Sequence, residues 1–225
     1  MALYISLADH QRVSDAVGAA EMHTAGEIVT VIADRSDGYS DVAFAWSALV
    51  AFTALALFAL FPQFYLGLIE SALGGWNHDW TDRELLGIAT AIAIVKFLAM
   101  WLLLHWQPLR FALVPGPIKT ARALAHAVDL FKVGAERRTH GRTGILIYLS
   151  MREHRAEIVA DEAIASKVPA EVWGDAMAAM LAHLKDGRVA DGMIAAVEQV
   201  GVVLGEHFPR HEHDINELPD RLIEL

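Results

Sequence analysis

The sequence predicts an α/β fold, a three- to four-stranded α/β/α sandwich interrupted by a transmembrane helical hairpin. Three observations predict this fold. A strand-like segment, Glu27 to Ala33, lies near the start of the chain. Two long apolar runs follow at about 42–61 and 85–105, and Lys96 is the only charged residue in them. Helix-like and strand-like segments then resume from residue 117.

The composition of the 225 residues excludes several classes of site and partner. The chain has no cysteine, so disulfides, thiolate zinc sites and cysteine nucleophiles are excluded. Its net charge of −10 argues against a nucleic-acid partner, because phosphate contacts need clustered Lys and Arg.

One helix and one strand are predicted before the first apolar run. Between Asp9 and Met22, apolar side chains recur at helical spacing, which predicts an amphipathic helix. The segment from Glu27 to Ala33 is β-branched and mostly apolar, which is typical of a strand buried on both faces. These two elements cannot bury a core alone, since an isolated strand leaves its backbone groups unpaired.

Each apolar run has the length of a membrane span. A bilayer core of about 30 Å needs about 20 helical residues, and a buried helix of that length with no polar face would be unusual. Several tryptophans lie in or beside the runs, as interfacial anchors do. The chain is therefore predicted to be an integral membrane protein of the inner or plasma membrane, in contact with membrane lipids.

The charges beside the two spans predict the orientation. The connecting segment 62–84 contains one basic residue, Arg83, against four acidic residues. Arg110, Lys119 and Arg122 follow the second span before any acidic residue occurs. The positive-inside rule then places both ends of the chain, and with them the soluble domain, in the cytoplasm.

The segment after the second span again has the pattern of a soluble α/β domain. Gly144 to Ser150 and Arg155 to Asp161 are predicted strands, joined by a short hairpin connection. Three helices are predicted around these strands: 118–133, a second that begins at Pro169 and ends at Gly187, and a third that ends before Pro209.

The two flanks of the hairpin are predicted to form one domain. Two strands alone make a thin sheet, and the first strand raises the number to three or four. Such insertions are tolerated where the ends of a surface loop lie close together. The predicted organisation is 1–40 for the first helix and strand, 41–116 for the inserted hairpin, 117–209 for the rest of the α/β domain and 210–225 for an acidic tail.

An ordered set of short motifs accompanies these elements. The motif HTAGEIVTVIAD precedes the hairpin, RTGILIYLSMREHRAEIVAD follows it, and LKDGRVADGMIAAVEQVGVVL closes the domain. The set resembles the TPM-domain family, named after thylakoid-lumen, photosystem-repair and receptor-modulating members, and the chain resembles a membrane-anchored bacterial member. The resemblance covers about 1–37 and 118–208. The positions that carry it are Thr24, Gly26, Glu27, Thr143, Gly144, Arg155, Ile158, Lys185, Gly187 and Gly192.

The resemblance implies a compact α/β/α sandwich tethered to a membrane, with weak acid phosphatase activity or calcium binding in some members. One stretch departs from the family. The family often has a V-G-x-G element after the second hairpin strand, near acidic metal ligands, and here that stretch is VADEAIASKVP. The family's metal and phosphatase chemistry is therefore not carried over to this chain.

Four carboxylates at the ends of predicted strands are the candidate metal ligands: Asp34, Asp37, Asp161 and Glu162. Ligand sites in open α/β sheets gather outside the carboxyl ends of strands, and hard oxygen ligands suit Ca²⁺ or Mg²⁺. The alternative is that these residues are ordinary turn and cap residues. The sequence shows no motif for a nucleophile or a phosphate loop, so no catalytic residue is assigned.

Two basic features near the spans have a functional and a structural interpretation. Lys96 lies near the middle of the second span, where a charge favours a functional role, but it could also snorkel to the interface or pair with Glu70. The basic segment 136–144 could contact anionic lipid or phosphate, or form a solvated loop that helps to fix the topology.

The sequence favours a membrane-anchored, TPM-like interaction or regulatory module that supports the assembly or quality control of a membrane-protein partner. The first alternative is a weak divalent-metal-dependent phosphatase, which would make the chain a phosphoester hydrolase. The second alternative is a small oligomeric channel component centred on Lys96.

Overall fold

The computed structural model describes residues 4–73, 79–134, 143–210, 218 and 220–225. The chain divides into two compact units. The α/β unit consists of Met1–Asp37 and Gly116–Leu225, and the helical unit consists of Gly38–Pro115. Trp76 and most of the basic segment 136–144 lie outside the described residues.

The described elements follow in chain order. They are α1 (Leu7–Glu21), β1 (Glu27–Ala33), α2 (Ser40–Leu60), α3 (Pro62–Leu73), α4 (Asp82–Leu103), α5 (Gln107–Leu113), α6 (Gly116–Gly134), β2 (Gly144–Ser150), β3 (Arg155–Ala160), α7 (Glu162–Ala165), a 3₁₀ turn (Ala170–Val172), α8 (Trp173–Leu184), α9 (Val189–His207) and β4 (Ile223–Glu224).

The described strands form one four-stranded sheet in the order β3-β2-β1-β4. β1 pairs in parallel with β2, with Glu27 opposite Gly144, while β3 pairs with β2 in the antiparallel sense. β1 is buried along nearly its whole length and β2 along all of it, as their continuous apolar sequences predict. The predicted α/β fold class is confirmed.

Each face of the sheet packs against helices. Alternate residues of a strand point to opposite faces, so Ile28 and Ile32 join one core while Val31 and Ala33 join the other. On the first face, α1, α8 and α9 supply Val13, Val17, Met180, Met193, Val197 and Leu204. On the second face, α6 supplies Ala123, Ala127 and Phe131.

Helices α1 and α9 approach each other closely. A methyl group built on Gly201 of α9 would lie 2.8 Å from the Cβ of Ala20 on α1, which is closer than two carbons can pack. The contact therefore depends on a glycine in α9. At its other end α1 begins at the N-cap Ser6, whose hydroxyl accepts a hydrogen bond from the backbone N–H of Asp9 at 3.1 Å.

The last residues of the chain add an edge strand that the sequence did not predict. Ile223 lies opposite Val31 of β1, and the N–H of Leu225 donates to the carbonyl of Ile32 at 2.9 Å. Leu218 and Leu222 are buried. The short apolar end of a segment that is acidic overall therefore contributes to the core.

The helical unit contains two helices that are long and apolar enough to cross a membrane, α2 with 21 residues and α4 with 22. The two helices pack against each other as an antiparallel pair, with Phe44 near the start of α2 lying 6.2 Å from Phe97 late in α4, measured between ring centroids. Thr81 and Glu84 form a reciprocal capping box that begins α4.

Arg110 joins the two ends of the helical unit. Its Nη1 donates to the carbonyl of Gly38 at 2.9 Å, and its Nε donates to the carbonyl of Leu104 at 2.7 Å. The ring of Phe111 packs edge-on against Tyr39 at 5.4 Å. The residues that begin and end the inserted segment are therefore held together within the helical unit itself.

Candidate functional site

A polar cluster lies at the carboxyl ends of β1 and β2. We call it the strand-end cluster, and it consists of Ser36, His126, Tyr148, Ser150 and Glu153. The hydroxyl of Tyr148 lies 2.9 Å from Ser36 Oγ and 2.9 Å from Nδ1 of His126, which reaches it from α6. The parallel pairing of β1 with β2 brings Ser36 beside Tyr148, and the packing of α6 on the sheet adds His126.

Glu153 occupies the turn between β2 and β3, and its side chain is buried. Its Oε1 accepts a hydrogen bond from the backbone N–H of Ser36 at 2.8 Å, and its Oε2 accepts one from the hydroxyl of Ser150. A buried carboxylate must be hydrogen-bonded to offset its desolvation. These contacts fix the β2–β3 turn against the end of β1.

Burial sets the protonation of the tyrosine in this cluster. It raises the pKa of the Tyr148 hydroxyl above its ordinary value, and the hydrogen bonds to Ser36 and Ser150 act in the opposite direction. The hydroxyl is therefore neutral at physiological pH, and it links an imidazole to a serine as donor and acceptor. These hydrogen bonds fix the position of Ser36, three residues after the end of β1.

Two of the four candidate metal ligands lie beside this cluster, and both are paired with arginines. Nε of Arg152 donates to the two carboxylate oxygens of Asp34 at 2.9 and 3.0 Å, and Asp37 accepts from Arg122. Desolvation raises the pKa of Asp34, but hydrogen bonds from Tyr4 and Arg152 outweigh it, so this pKa is below its ordinary value.

The other two candidates lie at the opposite end of the sheet. Asp161 follows β3, and its backbone N–H donates to the carbonyl of Gly144, the first residue of β2, at 2.9 Å. Its Oδ1 caps α7 by accepting from the N–H of Glu162 at 2.7 Å. Its Oδ2 is buried and has no partner among the described residues.

The structure therefore does not bring the four carboxylates together. A strand of seven residues such as β1 is about 20 Å long, so Asp34 and Asp161 are separated by roughly the length of the sheet. Within the described ranges, no three or more His, Asp or Glu side chains are grouped so that they could hold a metal ion.

Lys96 lies on α4 and is exposed within the helical unit. It precedes the end of the helix at Leu103 by seven positions, or about 10 Å of helix. If α4 spans a bilayer, an extended Lys96 side chain is within reach of the nearer interface, which is the geometry that snorkelling requires.

A second polar group, which the sequence did not predict, lies at the amino end of the sheet. Glu21 accepts a hydrogen bond from the backbone N–H of Ile28 at 2.7 Å, and Glu27 accepts one from that of Leu218 at 3.1 Å. The carboxyl of Glu21 also hydrogen-bonds Asp220. Burial, followed by the charges of Glu27 and Asp220, raises the pKa of Glu21 to about 9, although the Ile28 bond acts in the opposite direction.

No local signal in the sequence could have identified either group. Ser36 and Tyr148 are separated by 112 positions, and Glu27 and Leu218 by 191. A single sequence does not show which distant residues the sheet register brings together.

The motif positions named above have definite structural roles. The hydroxyl of Thr24 donates to the carbonyl of Phe208 at 2.8 Å, and that of Thr143 donates to the carbonyl of Ala25 at 3.0 Å. Gly187 ends the α8 turn with a φ of +74°, which favours glycine. A Cβ on Gly192 would lie 3.0 Å from the carbonyl oxygen of Met180.

Residues 117–203 match the model of the TPM domain. The resemblance to the TPM-domain family is confirmed. This TPM segment supplies α6, β2, β3, α7 and α8 and most of α9, whereas β1 and α1 complete the same compact unit from the other side of the hairpin.

A solved structure supports the fold. The NMR structure of the BA42 protein from the psychrophilic bacterium Bizionia argentinensis is similar to this chain with a TM-score of 0.57 and 16% sequence identity, covering 100% of this chain and 98% of the other. At that identity the likeness concerns the fold alone. No curated protein matches the chain significantly.

Proposed function

We propose that the chain is a membrane-anchored TPM-type interaction module that supports the assembly or quality control of a membrane-protein partner. The observation that carries this proposal is the construction of the α/β unit from both flanks of two membrane-length helices. Two chain connections then tether the unit to the bilayer, which raises its effective concentration near membrane partners.

The buried members of the strand-end cluster have a structural role. Tyr148 and Ser150 are 0% exposed and Glu153 is 2% exposed, so a substrate cannot reach them without opening the fold. Asp34 and Asp37 are paired with arginines. These polar groups hold the unit together.

The orientation follows from the charges beside the spans. Arg110, Lys119 and Arg122 follow α4 without an intervening acidic residue, while the segment between the spans is acidic. By the positive-inside rule, these charges support the proposal that the α/β unit lies in the cytoplasm.

The test is recovery of a membrane partner by chemical crosslinking in intact membranes, followed by affinity purification of the full chain. We expect a defined membrane protein to be recovered with the native chain. The matched control is the same chain with Tyr148→Asp and Ser150→Asp, which disrupts the α/β unit but keeps α2 and α4. A partner recovered equally with this control would show that the helices alone bind it, and would refute the proposed role of the α/β unit.

The alternative, a weak divalent-metal-dependent phosphatase, is favoured by one observation. The Oδ2 atom of Asp161 is buried without a partner in the described part of the chain, and such an oxygen is a candidate ligand for Ca²⁺ or Mg²⁺. Hydrolysis of p-nitrophenyl phosphate that requires Mg²⁺ or Ca²⁺ and is lost in Asp161→Asn would establish this alternative. Equal rates for the native chain and the variant would exclude a role for Asp161.

A further inference from the structure

The short helix α3 of the helical unit carries an apolar face that is exposed in the structure. We call it the α3 face, and it consists of Phe61, Phe64 and Leu68, which are 57%, 64% and 53% exposed. Phe61 is the residue that joins α2 to α3. The three residues are three and four positions apart, a spacing that puts neighbouring side chains on one side of a helix. A contiguous exposed patch of large apolar side chains marks an interaction surface.

Two other sides of α3 have different environments. On the second side Leu66 is buried, and the ring of Tyr65 lies 5.9 Å from that of Phe58, two residues before the end of α2. The third side is polar, with Gln63 and Glu70 seven positions apart. At about 100° per residue the three sides lie roughly a third of a turn from one another. A helix at a boundary between protein, lipid and water needs three sides of these kinds.

The segment before α4 fastens α3 to one end of the helix pair. Nε1 of Trp80 donates to Oε1 of Glu70 at 2.9 Å, and Trp80 immediately precedes Thr81, the N-cap of α4. α2 ends at Leu60 and α4 begins at Asp82, and these ends lie at the same end of the pair because the two helices are antiparallel. The position of α3 is therefore defined within the helical unit itself.

The length of α3 restricts where it can lie if α2 and α4 span a bilayer. Its 12 residues extend over about 18 Å, whereas a crossing needs about 30 Å. α3 is therefore too short to cross, and a single residue, Phe61, separates it from the end of α2. It then begins at the bilayer surface, where aromatic and apolar side chains are favoured between the headgroups and the acyl chains.

We propose that α3 lies in the interface of the bilayer that α2 and α4 span, with the α3 face inserted among the lipids at the boundary of headgroups and acyl chains. α3 contains no Lys, Arg or His, and its acidic residue Glu70 accepts a hydrogen bond from an indole. Apolar insertion, and not attraction to headgroup charge, therefore holds it there. This inference rests on the membrane anchoring proposed above, and it adds a third membrane-contacting element to the two spans.

The test measures how deep single positions of the full chain lie in phosphatidylcholine nanodiscs. The chain has no cysteine, so a nitroxide can be attached to one introduced cysteine at a time. The variants are Phe64→Cys and Leu68→Cys on the α3 face, Gln63→Cys on the polar side, and Phe52→Cys in the middle of α2. All four positions are exposed, so the label should not disturb the packing of the helices.

Power-saturation electron paramagnetic resonance compares the access of oxygen, which concentrates in the acyl region, with that of a water-soluble nickel chelate. We expect the ratio of oxygen access to nickel access to be several-fold higher at Phe64→Cys and Leu68→Cys than at Gln63→Cys. The ratio should be highest at Phe52→Cys, which reports the bilayer core. Gln63→Cys is the matched control, because it lies on the same helix beside Phe64 and differs in the side that it occupies.

The outcomes separate the two proposals. A high ratio at Phe52→Cys, with Phe64→Cys and Leu68→Cys as open to nickel as Gln63→Cys, would overturn the interfacial position of α3 and leave the anchoring intact. A Phe52→Cys label that is open to nickel would overturn the anchoring and the interfacial position with it. Spectral broadening at Phe64→Cys that disappears on dilution with unlabelled chain would show that a second copy covers the α3 face, and would overturn the insertion into lipid.

Discussion

The buried carboxyl of Glu21 gives the α/β unit a pH-dependent stability that one substitution should remove. Glu21 lies in the last turn of α1 and is 9% exposed. Burial, with the neighbouring charges of Glu27 and Asp220, raises its pKa from an ordinary value of 4.5 to about 9. In the folded chain it is therefore protonated at pH 7, and it donates that proton to the hydrogen bond with Asp220.

The sign of the effect follows from proton binding. Between pH 4.5 and about 9 the folded state holds one proton at Glu21 that the unfolded state has lost. Stability therefore falls as the pH rises through this range, by about 1.4 kcal/mol per pH unit, and levels off above it. From pH 6 to pH 8 the contribution of Glu21 amounts to about 3 kcal/mol.

Glu21→Gln should abolish this contribution and preserve the contacts. The amide oxygen can accept from the N–H of Ile28, and the amide nitrogen can donate to Asp220, as the protonated carboxyl does. Because the amide does not titrate, the variant should gain about 3 kcal/mol relative to the native chain between pH 6 and pH 8. Other titrating groups are common to both chains and cancel in the difference.

The assay is pulse proteolysis of the full chain in detergent across a urea series, at pH 6, 7 and 8, with the free energy of unfolding taken from each midpoint. The control is Glu198→Gln, at an exposed position of α9, which should keep the pH dependence of the native chain. A native chain with equal stability at pH 6 and 8, or a Glu21→Gln variant with the native slope, would refute the reasoning.

Three further predictions follow from single contacts. Arg110→Ala should remove the hydrogen bonds that join the two ends of the helical unit, and so increase the rate of proteolysis near Gly38 and Leu104. Arg110→Lys should lower that rate only slightly, because one ammonium cannot reproduce the two directed N–H groups of the guanidinium. Gly201→Val should separate α1 from α9, because even a Cβ would lie 2.8 Å from Ala20, and should lower the thermal midpoint by several degrees where Val202→Ala does not. Tyr148→Phe should lower the free energy of unfolding by about 1–3 kcal/mol in urea titrations, since it leaves buried partners unsatisfied.

The sequence predicted most of the helices and strands, but it did not predict at which end of the sheet the residues that follow each strand lie. Asp34 and Asp161 each follow a strand, as predicted, and each lies at the carboxyl end of its own strand. The rule that ligand sites gather at carboxyl ends holds for parallel strands. Because β3 returns antiparallel to β2, its carboxyl end lies beside the amino end of β1. The short MREH connection already predicted a hairpin, so the separation of the two carboxylates was implicit in the sequence.

The edge strand β4 and the polar group around Glu21 could not be predicted from the sequence, because their signals are too short or lie too far apart in the chain. Two residues, Ile223 and Glu224, are too few to show alternation. The pKa of Glu21 depends on Asp220, and the sequence between these two positions gives no sign that the two side chains are in contact. In contrast, the membrane-length helices were predictable, because their signal is a continuous run of apolar residues within each segment.

The position of β1 makes the folding of the α/β unit depend on residues from both sides of the helical unit. β1 is bonded on one side by β2, whose residues are synthesised more than 100 positions later, and on the other by β4 at the end of the chain. Until both helices and the segment after them are made, a buried apolar strand has no ladder partner, and unpaired strand edges favour aggregation. If α2 and α4 span a bilayer, as proposed above, the sheet can close only when the outer ends of the two helices lie on the same side of the membrane. A chain with one span left uninserted would carry β1 and β2 on opposite sides, and its α/β unit would not form. In the proposed membrane-anchored state, a closed α/β unit therefore excludes a hairpin with a single inserted span.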